Sequence, residues 1–381
     1  ITLSKATPRE AVCRVFENVN TGGVPLTVFE LVTASFAMDG FRLRDDWEQR
    51  FQHIKEDQRV VTDILDKLDA TTFLTAVTLY ASFMAKQDGK GFVSCKKKDV
   101  DLDSYKLYAD TVQEGFVLAA EFLIANEHIF RARDLPYSTQ LIPLACAFAH
   151  AKSSGLANKQ TTKDVLHRWL WCGILGEMYG GANETRYAND MEDLAAAIGG
   201  SSSQMRTVNA AYFQTPRLLG LQTRNSAAYK GIMALIYRKN CRDFISGQPT
   251  NAFEVMAKRP DIHHIFPEAY CIKMGLDRTR WNSIVNKTPL LPSTNRTIGG
   301  KAPSEYFQRI CRECPNASRE ELASRIESHL VEFDSFINND FDTYFTARAR
   351  ALLDLIEDAM GKPVSDRASD EVVAKFGASL E

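Results

Sequence analysis

The segment "PDIHHIFPEAYC", residues 260–271, sets two of the chain's seven histidines side by side between prolines. A short β-branched run with such boundaries reads as a β-strand, and neighbouring strand residues project to opposite faces. His263 and His264 therefore cannot share one task, but they can divide one. An imidazole on one face can hold a cation while the other takes a proton from water, a division that suits hydrolysis. The plain alternative for any single histidine is a hydrogen-bonded core or surface residue. Downstream, Asn286 in "IVNKTPLL" and Asn295 in "STNRTIGG" offer carbonyl oxygens. These are hard donors suited to Mg²⁺ or Mn²⁺, and an amide can also orient a histidine ring.

The surrounding charge fits that chemistry. Residues 251–301 carry eight Lys/Arg against four Asp/Glu, a local +4 in a chain of net −2. A cation site in a basic setting favours a polyanion such as nucleic acid, although basic residues are also an ordinary solvated face. The near-neutral whole excludes a generally basic nucleic-acid coat.

The elements that must position these residues fall into two parts. Residues up to about 245 keep a helical period. Thr7, Pro8 and Glu10 read as the capped start of one helix, Gly22 and Gly23 as its stop, and Thr27 with Glu30 as the capping box of the next. "HRWLWCG" (167–173) reads as core packing, with an exposed tryptophan stacking on a flipped base as its alternative. "RYANDMEDL" (186–194) reads as a solvated helix surface, and the turn formers of "SGQPTNAF" (246–253) as a domain boundary. Beyond it the order is strand ("DIHHIF"), strand ("TPLLPSTN"), helix ("APSEYFQRICREC"), then a long amphipathic helix from Phe341, with a polar, frayed tail after Gly361. The expected fold class is mainly α: a large helical domain followed by a ββα-metal (HNH-like) domain with flanking helices.

A chain of 381 residues with 45% hydrophobic and 25% charged residues can bury sizeable cores. Its eight cysteines suggest no disulfide framework at this length. The pair Cys311 and Cys314 is too few for a structural zinc site. Without a signal peptide or an apolar run of membrane-spanning length, a cytoplasmic protein with no membrane partner is expected. The first residue is Ile, and the chain reads as the C-terminal part of something longer.

Two stretches carry a family resemblance. "DIHHIFP" followed by "NKTPLLPSTNRTIGGKAPSEY" resembles the DUF1524 family, an HNH or His-Me finger nuclease. "VFENVNTGGVPLTVFELVTA" resembles the end of a DUF262 (ParB-like) domain. Together they resemble the GmrSD-type modification-dependent restriction proteins and related phage-defence proteins. The resemblance implies a DUF262 remnant over 1–35, an α-helical domain over 36–248 and a nuclease domain over 249–381. It implies a DNA endonuclease of a restriction or antiviral defence system that hydrolyses phosphodiester bonds with one divalent cation, Mg²⁺ or Mn²⁺. His264 would be the general base; His263, where such proteins often carry an acidic residue, a metal ligand; and Asn295 the second ligand. Asn286 would hold the site in shape or orient His264, and Arg296, Lys301 and Lys287 would contact nucleic acid. The Asp-Gly-Gln-Gln-Arg type motif that such proteins carry further upstream is absent, so nucleotide hydrolysis is not expected of this chain alone. The expected partner is DNA, modified or not, with RNA as an alternative substrate. A second copy, or a subunit carrying the missing N-terminal region, is a further expected partner. The contrasting function is a non-catalytic nucleic-acid-binding module acting with a partner chain.

Overall fold

The computed structural model describes residues 27–96, 99–201, 204–249, 255, 257–258 and 260–381. The capping residues at Thr7 and the glycine stop at Gly22–Gly23, and with them most of the expected 1–35 segment, lie outside the described residues. The protein is mainly helical, and the described residues contribute two β-strands.

Two compact units are present, and they do not follow the expected boundaries. The first takes everything described up to Phe122 together with 138–166 and 179–206; the second takes 123–137, 167–178 and 207 onward. The expected boundary near 248 does not separate them. Residues 123–137, 167–178 and 207–245, read from their period as part of one helical domain, pack with the C-terminal unit instead. Helical period reports that a segment is amphipathic, not which core its apolar face joins.

The first unit is built from α1 (Val28–Met38), α2 (Leu43–Glu56), α3 (Ala70–Gln87), α4 (Leu102–Ala125, up to Phe122), α5 (Leu141–Ser153), α6 (Gln160–Leu175, up to Leu166) and α7 (Glu184–Ile198). The Thr27–Glu30 capping box forms as read: the Glu30 amide bonds the Thr27 hydroxyl oxygen, and the Thr27 amide bonds the Glu30 carboxylate. Phe36, Phe73, Tyr105 and Phe116 are buried and form its aromatic core. α4 and α5 approach so closely at Gly115 that a Cβ there would lie 2.2 Å from the Ala145 carbonyl oxygen, so only glycine fits. The expected solvated face of α7 is instead half core: Tyr187, Asp190, Met191, Asp193 and Leu194 are buried. Asp193 is satisfied there by Arg206, at 2.8 Å, which is how a carboxylate tolerates burial.

In the second unit, Trp169 and Trp171 are fully buried, which removes the base-stacking alternative. The Trp171 indole donates to Glu127 at 2.7 Å. The unit continues through α8 (Ala227–Arg238), β1 (Asp261–His264), β2 (Lys287–Leu290), α9 (Pro292–Ile298), α10 (Pro303–Glu313), α11 (Arg319–Glu327), α12 (Phe341–Met360) and α13 (Asp370–Phe376). β1 and β2 pair antiparallel, with His263 opposite Thr288 and His264 opposite Lys287. The run "TPLLPSTN" is only half strand. Pro292 ends the ladder by lacking an N–H and starts α9 with its fixed φ. The expected frayed tail is packed: α13 buries Val372 and Phe376, Leu380 is buried, and Phe376 stacks 5.7 Å from Phe345 of α12.

Candidate active site

The site is assembled around the end of β1. Asn286, immediately before β2, is fully buried. Its Oδ1 accepts from the Phe266 amide at 2.8 Å, and its Nδ2 donates to the Phe266 and Trp281 carbonyls, both at 2.9 Å. The Ile265 amide donates to the Asn286 carbonyl at 2.9 Å. Tyr306 of α10 and Tyr344 of α12 close the same corner, donating to the Ile265 and Val285 carbonyls. None of the Asn286 side-chain bonds goes to His264. Asn286 fixes the chain leaving β1, and its amide is consumed by backbone and by the Tyr344 hydroxyl.

The residue that orients His264 is Asn282, which sequence reasoning missed. His264 Nε2 lies 3.2 Å from Asn282 Oδ1. The Asn282 amide group turns towards Gln222 Oε1 at 3.5 Å, so the oxygen faces the ring and Nε2–H is the donor. Nδ1 then carries the lone pair, as a general base requires. The Trp281 ring stands edge-on to the imidazole at 5.7 Å. Burial, then the charge of Lys287, lowers the His264 pKa, while the Asn282 contact opposes the shift; the ring is neutral near pH 7.

His263 projects to the other face of β1, towards α9. Asn295, in the first turns of α9, lies within hydrogen-bonding reach of its ring, and burial pushes the ring's pKa down to about 4, helped by the neighbouring His264. His263 Nε2 is buried and has no hydrogen-bond partner. A neutral imidazole with one unsatisfied buried nitrogen and an asparagine amide against the same ring has the donor types of a cation ligand pair. His263 and Asn295 are thus brought together as expected. No group of three or more His, Cys, Asp or Glu able to hold a metal occurs among the described residues, so a cation here would take its remaining ligands from water or substrate, as Mg²⁺ commonly does.

Asp243, also unnoticed in the sequence, sets the position of α9. It is 4% exposed. Its carboxylate accepts from the Leu291 amide at 3.0 Å and the Thr294 hydroxyl at 2.8 Å, and from the Ser246 amide at 2.9 Å. A carboxylate at these amides also complements the helix dipole.

The three expected phosphate contacts separate. Arg296 and Lys301 are exposed, Lys301 with a loose ion pair to Glu305 at 3.9 Å. Lys287 is corrected: it is buried, its ammonium donates to the Gln222 carbonyl at 2.6 Å, and burial lowers its pKa to about 8. All four residues of β2 are buried, so a lysine on it cannot reach a solvent-borne phosphate. Arg280 also leaves the basic face, held by Asp342 at 2.6 Å over the Phe345 ring.

No family model matches the chain. It is similar to an uncharacterized protein of Methanocaldococcus jannaschii, MJ0686, with 23% identity over 337 residues. The match covers 87% of this chain and 55% of that protein, so the chain spans about half the length of the relative. Among the described residues, no helix is long and apolar enough to cross a membrane.

Proposed function

We propose that the protein is a divalent-cation-dependent endonuclease of the HNH, or His-Me finger, type, acting on DNA, with β1, β2 and α9 as its ββα-metal unit. The observation that carries the reading is the division of the histidine pair. His263 has its ring in hydrogen-bond contact with Asn295 and keeps a buried Nε2 without a partner, while His264 is held by Asn282 with its Nδ1 lone pair free.

In this reading His264 Nδ1 takes a proton from water as the water oxygen attacks phosphorus, and the bond from phosphorus to the leaving oxygen breaks in line. The resulting imidazolium is stabilised by the Asn282 oxygen already at its Nε2–H. A cation held by His263 and Asn295 would supply Lewis-acid stabilisation of the leaving oxygen and the added negative charge. Arg296 and Lys301, exposed beside α9, would bind flanking phosphates. A role in modification-dependent restriction or phage defence rests on the sequence resemblance.

Plasmid DNA incubated with the protein and Mg²⁺ or Mn²⁺ is expected to be nicked or cut, and EDTA to stop it. His264→Ala should lower the rate on the order of 10²–10⁴-fold with an unchanged circular dichroism spectrum. Full cleavage by that variant, or none by the parent protein on DNA with either cation, overturns the assignment. Parallel digestion of matched RNA decides the substrate class.

A further inference from the structure

A cavity of about 310 Å³ lies in the second unit, lined in part by His128, Phe130, Arg133, Arg224, Tyr229 and Tyr237. Met233 and Ala234 of α8 form its apolar wall, and Asp134, Asn225 and Lys230 add polar groups. Its size lies at the lower end of small-molecule sites.

Three observations say what it fits. First, its walls are aromatic: His128, Phe130 and Tyr237 follow one another tilted by 50° and 56°, with ring centres 5.6 and 6.1 Å apart, and Tyr229 is buried. Planar walls of this kind accept a planar ring. Second, its histidine wall is held in place. His128 sits in the left-handed region at φ 55°, and its side chain bonds the Tyr237 backbone. That bond takes one ring N–H, leaving Nδ1, which is buried without a hydrogen-bond partner. Third, two guanidinium groups stand exposed at the lining, Arg133 and Arg224. Arg133 has only a loose contact with Asp134 at 3.6 Å. Arginine forks match phosphate geometry.

The cavity also adjoins the site already described. Ile262 lines it and shares a β1 face with His264, two residues or about 7 Å along the strand. On the same side, the Lys287 ammonium lies 5.9 Å from the centre of the Tyr229 ring. We infer that this cavity receives the base of one unstacked nucleotide of the strand presented to His264, with Arg224 and Arg133 on its phosphates. The inference rests on the nuclease reading for its choice of occupant. The shared chemistry, a nucleobase carrying phosphate, could also come from a free mononucleotide.

The test is fluorescence anisotropy in EDTA, which removes cleavage from the measurement. The probe is a labelled single-stranded DNA 12-mer, intact or with one central abasic site, and free mononucleotide is titrated as a competitor. Loss of one inserted base is expected to weaken binding about tenfold. Ala234→Trp, which fills the cavity, should bring the intact strand down to the abasic level and leave abasic affinity unchanged. Arg224→Ala, an exposed change that spares the core, should weaken the intact strand several-fold and serves if the filled variant does not fold. Equal affinity of intact and abasic strands overturns the inference, as does tight mononucleotide binding that no strand displaces. Cleavage with equal affinities would keep the nuclease and lose the cavity's role. A base-dependent affinity without cleavage under any cation would do the reverse.

Discussion

At the scale of single residues, the assignment turns on which amide serves which ring. Asn286 and Asn282 both lie near His264, yet their partners differ. Asn286 spends its side chain on the Phe266 and Trp281 backbone and the Tyr344 hydroxyl, whereas Asn282 has one oxygen on His264 Nε2 and one loose contact with Gln222. Removing Asn286 strands three buried backbone groups and should act on folding. Removing Asn282 should act on chemistry. Asn282→Asp is the more telling change, because a carboxylate at Nε2–H favours the imidazolium. The free-enzyme pH profile of kcat/KM is expected to move its acidic limb to higher pH, and kcat should fall while strand affinity in EDTA stays level. An unmoved limb would mean that the titrating base is not His264. That Asn282, and not Asn286, faces the ring was not legible beforehand. The histidine pair announces itself by residue type, but the partner of a ring is set by a fold that brings residue 282 beside 264.

At the scale of elements, the short strands and the long helices were readable because their signals are local. Proline brackets β1, and Phe341–Met360 repeats its apolar residues over five turns. Helix α9 was not, because a proline at the end of an apolar run looks the same whether it stops a strand or starts a helix. What settles the matter is Asp243, almost fifty residues upstream. Its buried carboxylate takes the Leu291 amide and the Thr294 hydroxyl and so fixes the turn that carries Asn295. Asp243→Ala should leave several buried donors unsatisfied and cost about 2–4 kcal/mol in urea unfolding. If α9 is the cation-holding element, the Mn²⁺ concentration for half-maximal cleavage should also rise by about tenfold, the size of effect seen when supports of metal ligands are removed. Stability lost with metal dependence unchanged would separate α9 from cation binding. Lys287 and the tail after Gly361 were misread for a related reason. Polar composition suggests solvent, but both β2 and α13 are drawn into the core by neighbours that composition does not reveal.

At the scale of the whole second unit, one buried histidine joins three distant stretches and makes the unit sensitive to acid. His329 is fully buried. Its Nε2 lies 2.8 Å from the Arg242 carbonyl, which can only accept, so Nε2 carries the proton. Nδ1 must then accept from the Thr288 hydroxyl, at 2.5 Å. Its own carbonyl receives the buried Arg348 guanidinium at 2.6 Å, and Arg348 also donates to the Lys287 carbonyl at 2.8 Å. The strand β2, the loop at Arg242 and helix α12 thus meet through one neutral ring. Burial is the main force pushing its pKa down to about 4; Arg348 lowers it further, and the Arg242 carbonyl and Asp243 oppose the shift. The unfolded chain, with an ordinary pKa near 6.5, binds a proton first as pH falls. The contribution of His329 to stability is therefore complete above about pH 6.5 and is lost progressively towards pH 4, to a total of about 3 kcal/mol. His329→Gln, which keeps a donor and an acceptor but cannot titrate, is expected to be less stable at pH 7. It should also lose less between pH 6.5 and 4 than the parent protein, as read from urea midpoints in metal-free buffer. Parallel pH dependences for the two proteins would show that the acid sensitivity arises elsewhere and that the neutral ring does not hold the three stretches together.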